Sequence, residues 1–284
     1  MKKILKIMSL ALVATLITVT FAACGGKETQ AVKVININLT DEEYAFGVDK
    51  DQPELLEKAN AFIAEIKANG KFEEICNKYF ADGTPEVIKS ATLDSAKEQL
   101  VVATNAAFEP FEYTNGDGYS GIDIEIAKLF AESLGQELVI QNMDFDAVCL
   151  SVGQHKCDIA MAGLTVKEDR KEYVNFSTPY YQASQKLIVK GDNTKFDNCT
   201  DKASVEALLN ELDETVKIGV QNGTTGQFYV EGDEEWEFAG LKAKCVGYKS
   251  GSLAVQDLVN GNVNYVIIDS APATCITDAI NEIN

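Results

Sequence analysis

The sequence predicts an α/β protein built as two lobes, and three observations carry that expectation. Short apolar runs alternate with amphipathic stretches of helical period, the signature of strands separated by helices. The alternation is sustained along the chain without an internal repeat, which argues for largely parallel sheets. Behind an N-terminal leader, 261 residues remain, enough for two lobes of ordinary size.

The leader comes first. The chain opens Met1-Lys2-Lys3, runs through an apolar stretch from Ile7 to Ala23 and reaches Phe21-Ala22-Ala23-Cys24. A basic start, an apolar middle and small residues before a cysteine define a lipoprotein signal peptide over residues 1–23. Cys24 is then the lipidation site, because its thiol can carry a thioether-linked diacylglycerol, and residues 24–31 form a lipid-anchored tether. The same stretch also admits an uncleaved transmembrane anchor, since about 17 to 20 apolar residues can span a bilayer. Both readings place the folded part at the extracytoplasmic face of a bacterial cell membrane.

Loss of Lys2, Lys3 and Lys6 with the leader leaves 22 basic residues against 44 acidic ones, a net charge of −22. Such a surface repels phosphate backbones and excludes nucleic acid as a partner. Cys76, Cys149, Cys157, Cys199, Cys245 and Cys275 contain no CxxC pair, so no metal site is expected. Most sit in apolar surroundings, which favours free thiols, although an even number also permits disulfides. Asn115-Gly-Asp-Gly118 reads as a hairpin turn; a calcium loop would need a carboxylate where Tyr113 stands. No phosphate-cradling glycine loop is present.

Strands are expected over residues 32–37, 45–48, 100–104, 137–141, 158–163, 186–189, 217–220, 243–247 and 263–268. Helices are expected over 53–69, after Gly70, and over 122–134, 145–152, 203–212, 252–259 and 271–283. Several chemistry-bearing residues fall where strands end, the place α/β proteins reserve for ligands. Arg170 can fork onto a carboxylate with two parallel hydrogen bonds. Alone, the run from Lys167 to Glu172 equally fits a solvated charged face. Ala162, Gly163 and Thr165 offer open backbone and a hydroxyl. Gln221, Thr224 and Thr225 lie where a strand passes through Gly-Thr-Thr-Gly into a helix, and threonines there also serve as ordinary caps. Asp269 ends an apolar strand and suits an ammonium; capping the next helix is the competing role. Phe108 and Phe145 can grip a side chain from two faces or simply fill the core.

The text of residues 100–113, Gly121 to Ala127, Asn142 to Ala147, Asp158 to Arg170 and Phe176 to Tyr181 resembles the extracellular solute-binding proteins of family 3, the polar amino-acid binders of ABC importers. The resemblance implies a type II periplasmic-binding-protein-like fold whose lobes are joined by two hinge crossovers. It further implies a monomer that binds a free L-amino acid and partners an ABC permease, without catalytic residue, cofactor or metal. Thr165, Arg170, Thr224 and Thr225 would hold the ligand carboxylate, Ala162 and Gly163 would offer backbone, and Asp269 would take the ammonium. Phe108 and Phe145 would sandwich the side chain, with Gln221 near. Asn105 stands where members for basic amino acids carry Asp, which points to a neutral ligand. A dehydratase on the same fold is the enzymatic alternative, and an adhesin or sensor the other.

Chain order is unusual. Residues 39–50, 55–58 and 78–80 resemble text that normally closes the family's chains, yet here it comes first. Circular permutation accounts for this, with residues 40–187 as one continuous lobe and residues 32–39 plus 188–284 as the other. Crossovers are then expected near 39–44 and 185–190. An unrelated inserted or fused fragment over 32–80 is the alternative.

Overall fold

The computed structural model describes residues 30–81 and 83–283. The stretch expected to be a signal peptide, Cys24 and most of the expected tether fall outside the described residues. In chain order the first half holds β1 (Val32–Ile35), β2 (Glu42–Tyr44), β3 (Gly47–Asp49), α1 (Pro53–Ala68), α2 (Lys71–Phe80), β4 (Gln99–Thr104), β5 (Ala107–Phe108), β6 (Glu112–Asn115), β7 (Gly118–Ser120), α3 (Ile122–Leu134) and β8 (Glu137–Asn142). The second holds α4 (Val148–Gly153), β9 (Ile159–Ala160), β10 (Val174–Phe176), β11 (Tyr181–Ala183), β12 (Gln185–Lys190), α5 (Lys202–Asn210), β13 (Lys217–Gln221), α6 (Thr225–Glu231), β14 (Lys244–Tyr248), α7 (Gly251–Asn260), β15 (Tyr265–Asp269) and α8 (Ser270–Ile283).

Two five-stranded sheets organise these elements, in the orders β10-β3-β9-β4-β8 and β1-β12-β15-β13-β14. The expectation of largely parallel sheets holds for only half of their pairings. β4 runs parallel to β8 and β9, and β13 parallel to β14 and β15, whereas β1, β3, β10 and β12 pair antiparallel. The antiparallel strands flank the places where the chain passes between the sheets, so they run back against the βα units. A ribbon of β2 paired with β11 lies at that passage, with Tyr44 opposite Tyr181 and Glu42 opposite Ala183. The second passage therefore lies at 181–183, and residues 185–190 are an integral strand of the second sheet. Helix breaks follow local chemistry. Pro53 starts α1, where its missing N–H has no helical acceptor to lose. Gly70, at φ 79°, turns the chain directly from α1 into α2.

Residues 32–80 are woven into both sheets. β1 forms an edge of the second sheet, while β3 lies inside the first, between β10 and β9. From α1 and α2, Ala59, Ile63, Ile66 and Ile75 are buried with Ile122, Ile126 and Phe130 of α3. Glu125 of α3 is 3% exposed and meets Lys78 Nζ at 2.5 Å and the Tyr79 hydroxyl at 2.7 Å. Asn281 near the end of α8 receives the Val32 N–H at 3.2 Å and donates to the Val32 carbonyl at 2.9 Å. All six described cysteines are free thiols, with Cys149 and Cys157 buried. Among the described residues no helix is long and apolar enough to cross a membrane.

Candidate functional site

The C-terminal ends of β4, β9, β13 and β15 converge between the two sheets. Asn105 follows β4, Ala162 to Thr165 follow β9, Gln221 ends β13 and Asp269 ends β15. Asn105, Ala162, Thr165, Arg170, Gln221, Thr224, Thr225 and Asp269 are all buried. Polar groups at that depth require partners, and many of the partners lie across the cleft. Gln221 Nε2 donates to Asn105 Oδ1 at 3.0 Å, while Asn105 Nδ2 donates to the Met143 carbonyl at 2.7 Å. Arg170, on a short 3-10 turn, donates through Nη1 to the Thr165 carbonyl at 2.6 Å and through Nη2 to the Gly223 carbonyl at 2.8 Å. It is not a solvated helix arginine. Its five N–H donors exceed these two carbonyls, which leaves capacity for a carboxylate.

Phe145 supports that guanidinium, which lies 5.2 Å from the centre of its ring. Phe108 packs near Phe111, with ring centres 6.0 Å apart, and against Gly163. A Cβ at Gly163 would lie 2.7 Å from Phe108 Cε1, and its φ of 51° disfavours other residues as well. Gly163 gives its N–H to Asp123 Oδ2 at 2.9 Å, so this backbone donor is committed within the lobe. The Thr165 hydroxyl is committed too, donating to Glu42 Oε2 at 2.9 Å. Thr224 caps α6 by position, but its hydroxyl donates to the Gln221 carbonyl at 2.8 Å.

An acidic group lies at the centre. Asp269 accepts from the Tyr44 hydroxyl at 2.5 Å, and burial, then the charge of Glu42, raises its pKa to about 7. Glu42 accepts from Thr40, Thr165 and Gln185, which ties the crossover ribbon to both lobes. Neither carboxylate oxygen of fully buried Glu112 has a hydrogen-bond partner among the described residues. Burial, then Asp123 and Asp269, pushes its pKa well above the usual range. Glu112 stands opposite Phe108 in the β5–β6 pair, which puts both side chains on one face of that hairpin. Asp123, held by Gly163 and Tyr180, is raised to about 6 by burial. Sequence reasoning missed Glu42, Tyr44, Glu112 and Asp123. The available signal was a carboxylate inside apolar text, as in Phe111-Glu112-Tyr113 and Ile122-Asp123-Ile124.

Two α/β sheets are thus joined by a crossover ribbon, with a buried guanidinium at the end of one and a buried carboxylate at the end of the other. Residues 100–231 match the bacterial extracellular solute-binding proteins, family 3, and the chain belongs to that family. The ABC transporter arginine-binding protein 1 of Escherichia coli is 31% identical over 179 residues, covering 62% of this chain and 65% of that protein. A cyclohexadienyl dehydratase of Pseudomonas aeruginosa is 26% identical over 176 residues, covering 61% of this chain and 60% of the enzyme. The chain thus spans less than two thirds of either relative. Among solved structures, an ancestral arginine-binding protein bound to glutamine is 31% identical with a TM-score of 0.53, covering 64% of this chain and 74% of that one. Its fold is the type II periplasmic binding fold.

Proposed function

We propose that this protein is a lipoprotein, anchored through Cys24 outside the cytoplasm, that captures one free L-amino acid with a neutral side chain and delivers it to an ABC permease. The Asn105–Gln221 amide pair carries this reading. It spans the lobes with uncharged groups, and Gln221 Oε1 has no partner among the described residues. Arg170 takes the ligand carboxylate and Asp269 its ammonium, with Ala162, Thr224 and Thr225 around them. Contacts to both lobes exist only when the lobes close on the ligand, so ligand favours the closed form. Binding without turnover fits the relatives named as amino-acid binders.

A second reading rests on Glu112. A buried carboxylate without a partner, on the same hairpin face as Phe108, would welcome a guanidinium or another cationic side chain, in keeping with the arginine-binding relatives. Calorimetry with L-glutamine, L-arginine and L-histidine separates the two. The neutral reading expects L-glutamine to bind at least as tightly as L-arginine, with Glu112→Gln changing its affinity less than about threefold. An arginine preference that falls about 100-fold in Glu112→Gln moves the assignment to the cationic class. Turnover of prephenate by the purified protein would instead support a dehydratase. Uptake unchanged after deletion of the protein would favour an adhesin or sensor.

A further inference from the structure

Lys167 lies three residues before Arg170 on the rim of the first lobe, and only 7% of it is exposed. Its ammonium is 3.3 Å from Asp169 of its own lobe, 3.1 Å from Asp233 and 3.0 Å from Glu235, both of the opposite lobe. The ring of Phe228 on α6 lies beneath it, 4.9 Å from Nζ to the ring centre. Glu235 uses its other oxygen to accept the Glu168 N–H at 2.9 Å. The acidic loop is itself braced: Asp233 bridges to Phe238, and the Phe238 ring packs on Trp236 at 5.7 Å and Tyr229 at 5.1 Å.

We infer that Lys167, Asp233 and Glu235 form a clasp that sets how long a captured ligand is held, an inference that rests on the capture reading above. Closure brings the acidic text Asp233-Glu-Glu-Trp-Glu237 against Glu168 and Asp169. Without a cation between them these carboxylates repel, and Lys167 turns the approach into attraction. Separated lobes leave the ammonium Asp169 and water. Closed lobes bury it, which disfavours its charge, yet hydrogen bonds to Glu235, Asp233 and Asp169 outweigh that and hold its pKa above the usual range. The contacts with Asp233 and Glu235 are made only in the closed form, and a difference of this kind is what shifts a conformational equilibrium. Lys167 is therefore a positioning residue that acts on the ligand through the lobes.

Lys167→Met keeps the apolar stem over Phe228 and removes the charge, while Lys167→Arg keeps both. Stopped-flow binding of L-glutamine and L-arginine is the kinetic test. In Lys167→Met, and in Asp233→Asn/Glu235→Gln as an independent variant, dissociation should be about tenfold faster with association within about twofold. The gap should narrow in about 1 M sodium chloride, and Lys167→Arg should stay near wild type. Unchanged dissociation in both charge-removing variants overturns the clasp. Small-angle scattering of the ligand-free proteins at low salt supplies a measurement independent of the ligand. A larger radius of gyration in Lys167→Met shows that the contact also draws empty lobes together and supports the clasp, whereas a smaller one overturns it. Wild-type protein that binds neither amino acid while the scattering difference appears would overturn the capture reading and leave Lys167 only as a contact that draws the lobes together.

Discussion

Asp269→Ala is expected to weaken amino-acid binding about 1,000-fold by calorimetry, because it leaves the ligand ammonium buried and unpaired. The tyrosine that now donates to Asp269 cannot replace it, since Tyr44 offers a hydroxyl and burial raises its own pKa well above the usual range. A pH signature should accompany the loss. With the lobes together and no ligand between them, burial raises the pKa of Asp269 to about 7, so a proton competes with the ligand ammonium for this carboxylate. An ammonium pairs with the ionised form, so binding must expel that proton. Wild-type affinity should then fall by up to about tenfold per unit as pH drops below 7, until the lower pKa of the bound state is reached. Stability runs the other way. Because the native pKa lies above the ordinary aspartate value of 3.8, the folded protein binds more protons between those values. Its stability therefore falls as pH rises through that window, by a few kcal/mol in all. Melting of ligand-free protein at pH 5 and pH 8 checks the sign, and Asp269→Asn should shrink the difference without abolishing it, because Asp123 and Glu112, also raised by burial, act in the same sense. A melting temperature that rises toward pH 8 in wild type would remove Asp269 as the group responsible.

The frame of this molecule was readable because its strands are apolar and its helices punctuated. Residues 100–104, 137–141 and 217–220 are apolar runs that became β4, β8 and β13 with at most a residue added at either end. The β2–β11 ribbon was not readable: Glu42-Glu-Tyr44 and Tyr181-Gln-Ala183 are short and polar, and pair only because the chain crosses between lobes twice. The site shows the same divide. Arg170 and Asp269 stand at strand or turn ends where α/β proteins gather ligand groups. What each hydroxyl and carboxylate touches was set at long range. Thr165, expected to face a ligand, donates to Glu42, which is 123 positions earlier. Carboxylates flanked by apolar residues, such as Glu112 and Asp123, look outward-facing in a half-buried element until distant parts of the chain cover them, as Gly163 and Tyr180 do for Asp123.

We propose that the unusual chain order is a circular permutation, and the largest effect it predicts is on folding. Deleting residues 30–80 should leave no cooperative thermal transition. The deletion removes β3 from between β10 and β9, strips the edge strand β1 from β12, and takes Ile63, Ile66 and Ile75 from the core. Glu125 would lose Lys78 and Tyr79, and a buried carboxylate without its cation costs about 3–5 kcal/mol by itself. Moving residues 30–83 to the other end should be nearly silent. Asn281 already holds both backbone groups of Val32, so a short linker from residue 283 to residue 30 follows an existing contact. Opening the chain between Gly83 and Thr84, both exposed, cuts outside every strand and helix. The rearranged protein should keep its circular dichroism, melt within about 5 °C of the original and bind amino acid within about threefold. An inserted or fused fragment makes the opposite forecast: the deleted protein would melt cooperatively and bind with undiminished affinity. Tyr44 argues against that forecast, since a dispensable fragment would have no reason to supply the hydroxyl that meets Asp269 in the cleft.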